Sequence, residues 1–167
     1  DTVQRVARAR QQLVDRAKPF AKQLRLSDAD REKALERAIL LGFPDRVARR
    51  RKKANAESVE LILAGGGSAQ QSPQSLVRDA EWLVLVDVEE RGSQTAPVAR
   101  LLSAIEPDWL LDLPGDFLVE QEELIWNAAA GQVERSTRLR FGQLILDESR
   151  APASPDDVKA VTLLADR

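Results

Sequence analysis

Cysteine, histidine, methionine and tyrosine are all absent from this 167-residue sequence. Without cysteine there is no disulfide and no thiolate metal site. Without histidine there is no imidazole base and no histidine-activated nucleophile. Aromatics are scarce, with only Phe20, Phe43, Phe117, Phe141 and three tryptophans, which argues against a base-stacking surface. No apolar run approaches the ~18 residues of a membrane span, and no signal peptide is visible. A cytoplasmic location and no membrane partner are therefore expected. Methionine is missing even from position 1, which leads us to expect a fragment or trimmed product whose function belongs to a larger protein.

What is present is charge, unevenly placed. The formal net charge is −2, yet residues 1–53 hold 16 Lys/Arg against 7 Asp/Glu, and the remainder holds 9 against 20. No cation falls between Arg100 and Arg135, while Glu106, Asp108, Asp112, Asp116, Glu120, Glu122, Glu123 and Glu134 accumulate there. Such a split predicts a dipolar surface whose basic part attracts an anion despite the negative total. The densest cationic run is Arg46, Arg49, Arg50, Arg51, Lys52 and Lys53, within "FPDRVARRRKK".

Helical spacing of Val3, Val6, Leu13, Val14 and Ala17 predicts a helix over 2–18, and Pro19 either kinks it or begins a second one. Ser27 with Asp30 resembles a capping box opening a second helix over 28–41, with Gly42 as its C′ residue. Beyond "GFPD" the pattern turns to short β-rich runs, "RVARRR", "SVELILAG", "EWLVLVDVEE" and "PVARLLSAI". In the third, Trp82, Val84, Val86 and Val88 alternate with Leu83, Leu85 and Asp87, so both faces are partly buried, as in a small barrel. "GGGSAQQSPQS" (65–75) reads as a mobile connection, with a backbone-amide contact to RNA as the alternative. It is not a phosphate loop, because the lysine is missing. "EPDWLLDL" (106–113) reads as a brief helix with Pro107 in its first turn. Further strands follow, with a turn at Gly131, and Ser154–Pro155 opens a terminal helix.

"ALERAILLGFPDRVARRR", then "AEWLVLVDVEE" and "RLLSAIEPDWLLDL", resemble the region after the helicase core in DEAH-type ATP-dependent RNA helicases of the bacterial HrpB family. The resemblance implies an α+β chain in which N-terminal helices are followed by an OB-like antiparallel β-barrel and a further small β-rich region with a terminal helix. Its divisions would be a helical segment at 1–42, the barrel with its short helix at 43–113, and the start of the C-terminal β-rich region at 114–167. No GK[ST] phosphate loop, no D-E-A-H and no arginine-finger motif occurs in these residues. Catalysis is thus not expected here, and no cofactor. ATP and Mg belong to the expected parent protein, a hydrolase, in a part not present.

For Arg46, Arg49, Arg50, Arg51, Lys52 and Lys53 the functional reading is contact with phosphates of single-stranded RNA or DNA, since guanidinium forks match phosphate oxygens. A strand alternates its side chains, so at most three or four can face one ligand. The plainer alternative is an edge strand kept from aggregating by its charges. Trp82 and Trp109 sit among apolar neighbours and read as core. The acidic stretch 106–123 reads as a solvated face rather than a metal site, one that meets a basic surface of the parent protein or keeps RNA away. The expected function is a non-catalytic accessory segment guiding single-stranded RNA. The rival is a protein-interaction or structural module docking onto the motor domains of the same parent protein or onto a separate partner.

Overall fold

The computed structural model describes residues 2–19, 27–51, 59–90, 92, 96–154, 156, 157, 159 and 160. By backbone contacts the chain divides into two units, Asp1–Ala34 and Leu35–Arg167. In the first, α1 (Thr2–Ala17) ends with Arg16 in its last turn, where a cation complements the helix dipole. Asp15 joins this end by accepting from Lys18 Nζ at 2.7 Å and from Gln11. Ser27 caps α2 (Asp28–Gly42): its Oγ accepts from the Asp30 backbone N–H at 3.2 Å and donates to the Asp30 carboxylate at 2.6 Å.

In the second unit α2 does not stop at a left-handed glycine. Gly42 remains helical, and the chain leaves the helix at Phe43, with φ −138°. Pro44 is the cause, because a proline disfavours helical geometry in the residue before it. Pro44–Arg46 forms a single 3-10 turn leading into β1 (Val47–Arg51).

Five strands then close a barrel: β1, β2 (Glu60–Leu63), β3 (Ser68–Gln71), β4 (Trp82–Glu89) and β5 (Val98–Ala104), in the order β1-β2-β3-β5-β4. β4 returns to β1, which completes the closure, with Ala48 opposite Leu83. The expected antiparallel pattern holds in four of these contacts; β3 and β5 run parallel. This five-stranded arrangement fits an OB-like fold. β3 lies inside the stretch expected to be a mobile connection. Its backbone explains the difference: Gln70 N–H donates to the Pro97 carbonyl at 2.8 Å and Gln71 N–H to that of Val59 at 2.9 Å. Pairing on both sides makes it a strand without a hydrophobic pattern.

The two faces of β4 serve two cores. Leu83 and Leu85 point into the barrel with Ala48, Leu61, Ala69, Ala99 and Leu102, so every barrel strand contributes to the interior. Trp82 and Val84 point outward and pack with Leu40, Val47, Trp109, Leu110, Phe141 and Leu144. A bulge between Leu85 and Asp87 takes Val86 out of the β4–β5 ladder.

The outer core joins the barrel to a three-stranded antiparallel sheet, β6 (Leu118–Asn127), β7 (Gln132–Phe141) and β8 (Leu144–Pro152). The β7–β8 turn lies against the end of β2, where Gln143 N–H donates to the Ala64 carbonyl at 2.8 Å. Phe117 stacks on Phe141 at 5.6 Å beside that turn. The brief helix expected at 106–113 is a 3-10 turn over Pro107–Leu110. Of the terminal helix, Lys159 and Ala160 are helical, and Pro155 and 161–167 lie outside the described residues.

Candidate nucleic-acid interface

β1 alternates as a strand must, and this sorts its arginines. Val47, Arg49 and Arg51 take one side; Ala48 and Arg50 take the other, toward the barrel interior. Arg50 is consequently only 9% exposed. Its Nη2 donates to the Val77 carbonyl at 3.0 Å, and Gln71 Nε2 donates to the same oxygen at 2.6 Å. Together they fasten the β3–β4 connection over one end of the barrel. Burial holds the Arg50 pKa below the usual arginine value, and the nearby charge of Asp79 opposes that shift.

Arg46 has a structural partner too. Its Nη1 donates at 3.2 Å to the carbonyl of Val86, the residue that the β4 bulge leaves out of the ladder, and its guanidinium lies over the Phe43 ring. Arg49 is held on three sides. Its Nε donates to Glu81 Oε1 at 2.7 Å, its Nη1 to the Ile145 carbonyl at 3.1 Å, and its plane covers the Trp82 ring at 5.2 Å. Arg51 is exposed and has no ion pair among the described residues. Lys52 and Lys53 lie outside the described residues.

Arg49 and Arg51 border a groove of about 600 Å³ whose opposite wall is the β7–β8 turn, through Gln143, Leu144 and Ile145. Arg50, Glu81 and Ile62 complete it. Neither Glu81 nor the turn was foreseen as part of the site. Nothing local marks them, since the turn follows Arg51 by some ninety positions and meets it only through the outer core.

Trp82 and Trp109 are 6% and 8% exposed and belong to that core, as expected. They are covered rather than offered, by Arg49 and by Arg37. The acidic stretch does not lie over the β1 arginines. Asp112 meets Arg37 at 3.1 Å, Glu122 meets Arg135 at 3.4 Å and Glu123 meets Arg138 at 3.2 Å. Among the described residues no cluster of three carboxylates is arranged to hold a metal, and no helix is long and apolar enough to cross a membrane.

The same fold occurs in solved helicase structures. The chain superposes on a crystal structure of the Escherichia coli DExH-box NTPase HrpB with a TM-score of 0.56 and 22% identity, over 76% of this chain. A second crystal structure, of the Escherichia coli DEAH/RHA helicase HrpB, gives a TM-score of 0.51 and 22% identity over 71% of this chain. The shared property is the fold. Only 15% and 14% of those chains are spanned. No family model matches the chain, and no curated protein sequence does.

Proposed function

We propose that this chain is a non-catalytic accessory segment of an ATP-dependent RNA helicase, and that it guides single-stranded RNA through phosphate contacts. The fold shared with HrpB supports the helicase setting. The observation that carries the RNA contact is Arg51, exposed at the rim of a groove and in no ion pair among the described residues, although Glu60 lies opposite it on β2. Of the arginine run, Arg50 and Arg46 act through the architecture, and Arg49, paired with Glu81, contributes only through the N–H groups that this pair and the Ile145 carbonyl leave over. Lys52 and Lys53 follow Arg51 directly and extend its charge along the chain. Binding of this kind is neutral to sequence and steeply salt-dependent.

Fluorescence anisotropy with a short single-stranded RNA at about 50 mM salt tests the reading. Micromolar or tighter binding is expected, weakening as salt rises and falling further in Arg51→Glu with the fold intact. No anisotropy change at high protein concentration would overturn it.

A second reading has its own support. Leu41, 59% exposed, borders a groove of about 140 Å³ with Leu40, Trp109 and Leu113, edged by the Arg37–Asp112 ion pair, a mixed surface suited to docking on the motor domains. That reading predicts affinity for separately purified motor domains in place of RNA.

A further inference from the structure

The small sheet contains four arginines, Arg135, Arg138 and Arg140 on β7 and Arg150 on β8. Carboxylates neutralise three. Arg135 meets Asp157 at 2.8 Å, Arg138 meets Glu123 at 3.2 Å, and Arg150 meets Glu148 at 2.9 Å. Arg140 is different. Its Nη1 donates to Gln121 Oε1 at 3.2 Å and its Nη2 to Gln143 Oε1 at 2.9 Å, both neutral amides. Its Nε is buried without a hydrogen-bond partner, and among the described residues no carboxylate pairs with it. Two amides orient the guanidinium but leave its full charge in place. Of its five N–H donors, one on each Nη remains for an external acceptor.

The position is as informative as the charge. Arg140 lies directly opposite Ile145 across the β7–β8 ladder, and directly opposed residues share a face. Ile145 and Gln143, the neighbour that Arg140 holds, both line the groove bordered by Arg49 and Arg51. Arg140 does not itself line the groove; it stands beside the hairpin wall, tied to it through Gln143 and through its register with Ile145.

We infer that Arg140 is a phosphate contact beside this groove, so that single-stranded RNA leaving the groove at β1 crosses onto the β7–β8 hairpin. The inference rests on the RNA-guiding role proposed above and extends it to a strand that the arginine run does not touch. Arg135 and Arg138, closed by their own carboxylates, mark where the path does not go.

Anisotropy titrations of the 167-residue chain against a homopolymeric single-stranded RNA of about 12 nucleotides, over a range of salt, test this. Arg140→Gln is expected to weaken binding roughly three- to tenfold and to reduce the slope of log Kd against log salt by about 0.7. Arg140→Lys keeps the slope. Arg135→Gln removes the same net charge and changes neither. Equal behaviour of Arg140→Gln and Arg135→Gln, while Arg51→Glu still loses affinity, overturns the hairpin contact and leaves the guiding role standing. No binding by the wild-type chain overturns both. Poly-glutamate bound as tightly as RNA, with the same dependence on Arg140, overturns RNA as the ligand. Should Arg140→Gln not fold, backbone amide shifts on the wild-type chain decide: movement of Gln143–Ile145 with RNA supports the inference, and movement confined to Arg51 refutes it.

Discussion

The β7–β8 turn positions one wall of the groove, and Gly142 tests how tightly it is held there. Gly142 has φ +57°, and a Cβ at this position falls within 3.0 Å of the Ala64 carbonyl carbon and closer still to its oxygen. Both are backbone atoms at the end of β2, so no side chain can swing aside. Alanine adds three costs. The left-handed conformation itself costs about 1 kcal/mol. Pushing the turn off Ala64 loses the Gln143 N–H bond to that carbonyl, about 1 kcal/mol. Lifting Phe141 and Leu144 re-exposes about 60 Å² of apolar surface, a further ~1.5 kcal/mol. The sum is about 3–4 kcal/mol.

Gly131 supplies the control. It has φ +63° in the β6–β7 turn, yet a Cβ there has nothing within 4 Å. Gly131→Ala therefore pays only the conformational term, about 1 kcal/mol. The difference of about 2–3 kcal/mol corresponds to a melting point roughly 6–9 °C lower for Gly142→Ala than for Gly131→Ala. Tryptophan fluorescence during thermal unfolding is the assay, because Trp82 and Trp109 share the outer core with Phe141. Equal losses in the two variants would mean that the turn is not seated on Ala64, and the groove would lose its second wall.

Two further outcomes are expected. Glu81→Gln keeps an acceptor for Arg49 but removes a negative charge from the groove. At about 6 Å in water-like dielectric that charge opposes a phosphate by about 0.7 kcal/mol, so anisotropy with RNA should show roughly threefold tighter binding; weaker binding contradicts the groove as the site. Glu148 has its pKa held below the usual carboxylate value by its hydrogen bond to Arg150, then by Ser136 and Arg138. A depressed carboxylate stabilises the fold above its unfolded pKa and loses that contribution as pH falls through its folded one. An acid titration of the wild-type fold should therefore lose stability below about pH 4.5, more steeply than Glu148→Gln; identical acid limbs would show that these bonds do not bear on folding.

The parts of the fold legible in the sequence are those whose signal is local. Ser27 announces α2, and the doubly apolar run at 82–88 announces a strand buried on both sides, which the two cores around β4 confirm. β3 was hidden because the face that "SAQQ" buries is only Ala69 and Gln71, too little apolar surface to read as a strand, and the strand is defined by the backbones of β2 and β5. The end of α2 was misplaced by one device: Gly42 looked like a terminator, but the constraint comes from Pro44 acting on Phe43. For the arginine run, strand alternation correctly limited how many side chains could share a ligand. It could not say that Arg50 would close one end of the barrel, since that depends on Val77 arriving from another connection.

Charge in the sequence and charge in space are different quantities here, and the site depends on the second. The carboxylates after residue 105 look like a reservoir facing the basic first third. The register of β6 on β7 sends them elsewhere: Glu122 lies opposite Thr137 and Glu123 opposite Ser136, so each meets an arginine on the diagonal, Arg135 and Arg138. Diagonal neighbours are within reach of long side chains, and the sheet thereby neutralises itself. The opposite partner of Arg138 is Gln121 and that of Arg140 is Val119, while Glu120 between them lies opposite Leu139 on the other face. A shift of that register by one residue would exchange the carboxylates of Arg135 and Arg138 and turn Glu120 onto the face of Arg140. The location of free positive charge on this protein is thus set by strand pairing, and the arginine-rich stretch alone does not reveal it.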